Sequence, residues 1–320
     1  MLEAPHRRGP RTFSRITERL AVAAYRGTAA VLARAPERPA RAVVGRLFQL
    51  SYLIWPTKRR WSNLNYAHVL GRDPGDPAVR RLALDAYGTY GRYIVEIMRL
   101  PSRPLDEVTG LLDAGTVGAL KASWQATGKG LIVTIPHVGN NEVAAAGLVH
   151  HGLPINGLAD DSAFPELLEL LTRQREAFGV KTIYWKNIRE IYSVLRRGEI
   201  LALLIDWGYR PDGIPVRLFD RWTTLPAGPA TLAARIGVPI LPVAARRTPD
   251  GRYRLDSDDF ISVPSGDPGE LQRATQQVAD ALERAIAVAP DQWYSFKPMW
   301  PETAAEAAEL EARATRMAGG

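Results

Sequence analysis

Gly130-Leu131-Ile132-Val133-Thr134-Ile135-Pro136-His137-Val138-Gly139-Asn140-Asn141-Glu142 is the stretch on which the fold turns. A continuous apolar run bounded by Gly130 and Pro136 predicts a strand buried on both faces, the condition of a parallel sheet. A helix is predicted directly behind it, over residues 141–150. Working outward, further helices are expected over 165–178, 187–197 and 227–236, the last stopped by Gly237. Further strands are expected at 200–205 and 239–244. Strands alternating with helices of this length imply an α/β fold with a largely parallel central sheet flanked by helices.

Upstream of residue 111 the pattern is helical. Ile16, Leu20, Ala23, Ala24 and Val31 recur at helical spacing, with Arg15, Arg19, Arg26 and Arg34 between them. Over residues 41–55 Val44, Phe48, Leu50, Tyr52, Leu53, Ile54 and Trp55 form an apolar run closed by Lys58, Arg59, Arg60 and Trp61. An aromatic-ended apolar helix with a basic end suits a membrane interface, where rings settle at headgroup depth and cations meet phosphates. A core helix with a solvated basic end fits the same residues. A further helix is expected over 79–100. The organisation read from the sequence is therefore an N-terminal amphipathic helical region (1–110), an α/β domain (111–300) and a helical tail (301–320).

The 320 residues contain no cysteine, which excludes disulfides, thiol nucleophiles and thiolate metal sites and fits a reducing compartment. Lysine and arginine number 41 against 34 acidic residues, a net +7 that suits anionic headgroups or phosphorylated substrates, or reflects an arginine-rich composition. No helix-turn-helix, zinc-finger or aromatic RNA-binding signature is present, so nucleic acid is not an expected partner. Arg7, Arg8 and Arg11 resemble the start of a secretory leader, but Arg15, Glu18 and Arg19 interrupt any apolar core. Arg26 and Arg46 break the longest apolar stretches below the roughly 20 residues of a spanning helix.

His137 follows a buried strand, where active sites of open α/β sheets gather, and Glu142 lies five positions later near a helix start. An imidazole transfers protons near neutral pH, and a carboxylate can fix its tautomer. Gly139 permits a tight turn or close approach to a ligand. The N–H groups of Gly139, Asn140 and the helix start are candidate oxyanion donors. A lone His-x4-Glu is common, so its weight comes from the rest of the chain.

Gly128-Lys129-Gly130 with the strand and Pro136–Glu142, Leu203-Leu204-Ile205-Asp206, Gly213–Phe219 through Leu225–Ala230, Val238–Val243, and Pro290-Asp291-Gln292-Trp293 with Phe296 and Trp300 form five ordered blocks. Together they resemble the glycerolipid and lipid A type acyltransferases. The likeness is strongest to the lauroyl/myristoyl acyltransferases and the related phosphatidylinositol mannoside acyltransferases. The chain departs from that pattern at Asn141, where relatives carry a bulky aromatic, at Trp207, and at Leu218-Phe219-Asp220 in place of Phe-Phe-Gly.

The resemblance implies that His137 takes a proton from a lipid hydroxyl as it attacks the thioester of acyl-CoA or acyl carrier protein. Glu142 would orient the ring, with Asp206 and Gly228 at the substrate. Arg210, Arg217, Arg221 and Arg246 would hold phosphate or form a solvated basic face. The acceptor would be an anionic glycolipid or phospholipid, and the enzyme would lie peripherally on the cytoplasmic face of the cell membrane. No cofactor or metal is expected: His150-His151 lacks a partner at metal spacing, and Gly128-Lys129-Gly130 precedes its strand, unlike a P-loop. A thioesterase and a non-catalytic lipid-binding protein are the rival readings. No Gly-x-Ser-x-Gly elbow supports a serine esterase.

Overall fold

The computed structural model describes residues 15–159 and 165–319, so Arg7, Arg8 and Arg11 lie outside the described residues. Four helices come first: α1 (Arg15–Arg34), α2 (Glu37–Ile54), α3 (Pro56–Leu70) and α4 (Pro77–Arg99). A 3₁₀ turn at Leu100–Ser102 leads into α5 (Leu105–Gly110) and α6 (Ala114–Thr127). The alternating region follows as β1 (Leu131–Ile135), α7 (Asn141–His150), β2 (Ile155–Ala159), α8 (Pro165–Ala177), β3 (Lys181–Tyr184), α9 (Ile188–Arg196) and β4 (Ile200–Leu204). A hairpin of β5 (Ile214–Leu218) and β6 (Arg221–Leu225) precedes α10 (Gly228–Ile236), β7 (Ile240–Arg247) and β8 (Tyr253–Ser257). The chain closes with α11 (Pro268–Val288), a 3₁₀ turn at Pro290–Gln292 and α12 (Ala304–Ala318).

Six strands form the central sheet in the order β3-β2-β4-β1-β7-β8, with every pair parallel except the edge pair β7–β8. The fold class is therefore the α/β arrangement expected from the sequence. Side chains alternate across β1 and divide the core. Ile132 joins Leu201, Leu203 and Ile240 on one face, while Leu131 and Val133 join Ile200, Leu241 and Val243 on the other. Gly237 stops α10 in a left-handed conformation at φ 74°, with its N–H on Ala233 O.

The N-terminal helices share the first of these cores. Tyr52, Tyr66, Val79, Ala83 and Tyr87 belong to the same apolar cluster as Ile132 and Leu201. Helix α2 presses against α4 through Gly45, Gly88 and Gly91; a methyl at Gly91 would stand 2.8 Å from Val44 O. The opposite face of α2 stays apolar and exposed, with Val43, Leu47, Leu50 and Ile54 at i, i+4, i+7 and i+11. Leu53 and Trp55 are exposed beside it, and Leu20 and Val31 are exposed on α1. Helix α2 thus has one face packed in the core and one apolar face exposed. No described helix is long and apolar enough to cross a membrane.

A buried carboxylate joins the helices to the sheet. Glu96 on α4, 7% exposed, faces Arg41 at 3.2 Å and Arg247 at 3.6 Å and accepts from Asn140 Nδ2 at 3.1 Å and from the Tyr253 hydroxyl. Two cations and two neutral donors satisfy its acceptor sites, which is the condition under which a charge is tolerated in a core. Through Asn140 this network fixes the start of α7, and so the floor of the site.

Candidate active site

Register brings His137 to its partner. Strands β1 and β4 are parallel neighbours, paired from Leu131↔Ile200 to Ile135↔Leu204, a constant offset of 69 residues. Extending that offset two residues beyond the strand ends sets His137 beside Asp206, and their contacts span the same 69 positions. His137 Nδ1 lies 2.7 Å from Asp206 Oδ1, and the His137 backbone N–H donates to Oδ2 at 2.9 Å. Trp293 Nε1 donates to Oδ2 at 2.8 Å.

These contacts determine the tautomer. Asp206 is 3% exposed. Burial alone would raise its pKa, but the His137 ring and the surrounding N–H donors hold its carboxyl below the usual value. An ionised carboxylate only accepts hydrogen bonds, so Nδ1 carries a proton, and in the neutral ring the lone pair then lies on Nε2. A base of this kind can take a proton from an alcohol while the carboxylate steadies the imidazolium.

The closing aromatic block holds the loop in place. Gly139 N donates to Gln292 O at 3.1 Å, and Tyr294 N donates to His137 O at 2.8 Å. Asn65 straps the same segment to α3, bonding the carbonyls of Ser295 and Lys297 at 3.1 and 2.7 Å. Gly139 adopts φ 66°, and a methyl there would stand 1.8 Å from Ala245 O. Its glycine is required by backbone proximity to β7.

The expectation that Glu142 stands behind the imidazole is corrected by this geometry. Glu142 faces α8, where Arg175 grips both oxygens: Nε lies 3.1 and 3.0 Å from Oε1 and Oε2, and Nη2 lies 2.5 Å from Oε1. The pair still lines the cavity that contains His137. Arg175 went unread in the sequence. Its signal was helical phase, because Leu171, the buried Thr172 and Arg175 share the inward face of α8 while Arg173 points out to Glu169.

The proposed oxyanion donors at Gly139 and Asn140 are also corrected. Both N–H groups are committed to backbone carbonyls, Gly139 to Gln292 O and Asn140 to Ala245 O at 3.3 Å. Asn140 is fully buried; its Oδ1 caps α7 by accepting from Val143 N. What remains is the start of α7, whose first N–H groups have no intrahelical acceptor and favour negative charge.

His137, Gly139, Glu142 and Asp206 line one cavity of about 360 Å³, walled by Tyr90, Tyr93, Tyr294 and Phe296. Tyr90 stacks on Tyr93 at 5.5 Å and meets Tyr294 at 5.2 Å. A second cavity of about 240 Å³ shares Tyr90, Tyr93, Glu142 and Arg175 with the first. It lies between α4, α7 and α8 along Ile94, Ile97, Leu100, Ala146, Leu171 and Phe178, a largely apolar slot with the Glu142–Arg175 pair in the wall common to both cavities.

The remaining sequence candidates do not converge on His137. Arg210 borders an adjoining groove and pairs with Asp212 at 3.3 Å. Arg221 lines a different depression beside His68. Arg217 pairs with Asp220 at the hairpin turn, Gly228 opens α10, and Arg246 is bound to Asp256 at 2.9 Å in a cavity against α11. Four of the five sit on β5–β8 or α10, on elements whose apolar pattern carried no information about which end faces the site.

A family model described as bacterial lipid A biosynthesis acyltransferase matches residues 11–302. The chain belongs to this family. As an acyltransferase of this family it resembles the phosphatidylinositol mannoside acyltransferase of Mycolicibacterium smegmatis, 27% identical over 241 residues covering 74% of this chain and 77% of that one. It is 28% identical over 264 residues to the phosphatidylinositol mannoside acyltransferase of Mycobacterium tuberculosis, with 78% and 79% of the two chains covered. Membership makes the chain an O-acyltransferase of lipid biosynthesis.

Proposed function

We propose that this acyltransferase moves a long fatty acyl group from acyl-CoA or acyl carrier protein onto a hydroxyl of an anionic glycolipid or phospholipid. One observation carries the reading: the buried Asp206 carboxyl lies 2.7 Å from His137 Nδ1 in a cavity that shares Tyr90, Tyr93, Glu142 and Arg175 with an apolar slot. In this reading Nε2 takes the hydroxyl proton, the alkoxide oxygen attacks the thioester carbonyl, and the carrier thiolate leaves with the proton returned by the imidazolium. The slot receives the acyl tail. The α7 N-terminus faces the developing oxyanion. Glu142 and Arg175 shape the junction of the two cavities. The names of the mycobacterial relatives favour a mannose-bearing phosphoinositide as acceptor.

The test is purified protein with acyl-CoA, with and without lipid extract. Acylated lipid and thiol release should both require the acceptor, and His137→Ala should abolish both. Thiol release without acceptor would establish a thioesterase instead, and full transfer by His137→Ala would refute the mechanism.

The exposed apolar side chains of α1 and α2, with Arg59 and Arg60 in the first turns of α3 just past α2, favour docking on the cytoplasmic membrane face. Binding to liposomes containing anionic lipid should weaken between low and physiological salt, because exposed charges are screened within about 8–10 Å there. Replacing Leu47 and Ile54 by Ser should weaken binding at both salt concentrations. Salt-insensitive binding that survives this double substitution would exclude the surface.

A further inference from the structure

Where the His137 cavity meets the neighbouring groove, two lysines converge without acidic partners. The groove encloses about 720 Å³ and is lined by Trp61, Trp207, Tyr209 and Trp300, with Glu302 and Glu306 on its rim. Lys58, Trp207 and Lys297 line both spaces. Lys58 Nζ lies 4.6 Å from the Trp61 ring and donates to Phe296 O at 3.4 Å. Lys297 Nζ sits 3.7 Å above the Trp207 ring, which itself lies 5.4 Å from the His137 imidazole.

Among the described residues, neither ammonium has a carboxylate within salt-bridge distance, whereas the nearby Arg210 is paired with Asp212. Of the acids lining the two spaces, Glu302 makes no salt bridge to either lysine and the other three are engaged elsewhere. Asp206 is held by His137 and Trp293, Glu142 by Arg175, and Glu306 by the capping box of α12. Burial lowers the pKa of both lysines, and for Lys297 the charge of Lys58 adds to it. Two like charges held together in a partly dry cleft repel, and an anion between them reverses the sign of that interaction.

We propose that Lys58 and Lys297 form a clamp for a substrate phosphate at the mouth of the catalytic cavity. An ammonium is a compact point charge suited to phosphate oxygens that approach from varied directions. The tryptophan faces beside it offer flat apolar surface to the ring that carries the phosphate. Two sources share this chemistry: the phosphodiester of the acceptor lipid, and the phosphates of the donor's pantetheine arm or nucleotide. The clamp rests on the transferase reading for its role in turnover, but not for its binding of phosphate.

Two readouts test it on the full chain. In the first, wild-type protein is acetylated with a limiting amine-reactive ester, with and without inorganic pyrophosphate, and each lysine is followed by mass spectrometry. Lys58 and Lys297 should be protected several-fold while Lys121 and Lys181 are not. In the second, Lys58→Ala and Lys297→Ala should each raise the KM of one substrate by about tenfold, the cost of one charge-assisted contact. A rise for the lipid acceptor identifies its phosphodiester as the occupant, and a rise for acyl-CoA identifies the donor. Lys58→Arg and Lys297→Arg keep the charge and should recover most of that loss, which separates the clamp from a folding defect. Absence of protection at both lysines, or unchanged KM for both substrates in both alanine variants, would overturn the proposal. Protection without any wild-type turnover would leave the clamp standing and refute the transferase reading.

Discussion

Asp206→Asn should lower acyl transfer by about 10³-fold or more while the protein still folds. The carboxylate accepts from three N–H groups: His137 Nδ1, the His137 backbone and Trp293 Nε1. An amide at this position has one acceptor oxygen and a donor NH₂, so one of these N–H groups would face another donor. The least constrained response is a change of imidazole tautomer, which places the proton on Nε2 and removes the base. Steady-state and single-turnover rates check the loss, and it should fall on kcat rather than KM.

The same substitution has a consequence for acid stability. The folded pKa of Asp206 lies below its ordinary value of 3.8, so its ionised contacts stabilise the fold at pH above that value. That contribution is lost as pH falls through the folded pKa. Asp206→Asn should therefore flatten the acid limb of the stability curve below about pH 4, as read by denaturant unfolding at a series of pH values.

Gly139→Ala should be the most damaging single methyl addition in the loop. The new Cβ would meet Ala245 O at 1.8 Å, and φ of 66° is unfavourable for any residue with a Cβ. Left-handed strain of about 1–3 kcal/mol adds to an overpacking cost of about 1–3 kcal/mol. Relief requires the loop to move from β7, which breaks the contacts of Gly139 N with Gln292 O and Asn140 N with Ala245 O and displaces His137. Thermal denaturation should show a large drop in midpoint, with loss of transfer even below that midpoint. Near-wild-type stability would mean that the turn is not held against β7.

The strands that position the chemistry were legible because both faces are buried. Residues 130–135, 200–205 and 239–244 read as apolar runs where the strands span 131–135, 200–204 and 240–247, and Gly237 marked the end of α10 as a C-cap should. Strands β2 and β3 escaped notice because Asn156 and Gly157 interrupt one and the other is four residues long with exposed Lys181. The hairpin β5–β6 was hidden by its turn, where Phe219 and Asp220 take positive φ without the usual glycine.

At the site, the sequence named His137 and Asp206 without pairing them. Proximity along the chain favoured Glu142, whereas the pairing is a property of strand register across 69 residues. Arg175 and Lys58 depend on helical phase and on the packing of α8 against β3 and of α3 against α4. No local motif encodes those relations.

The most direct test of the His137–Asp206 pair is the 15N–1H spectrum of the imidazole ring, assigned by its disappearance in His137→Ala. The expected result is a proton on Nδ1 in the wild type and in Glu142→Gln, lost from that position in Asp206→Asn. An Nδ1 proton that survives in Asp206→Asn but vanishes in Glu142→Gln would contradict the pairing and restore Glu142 as the partner of the base.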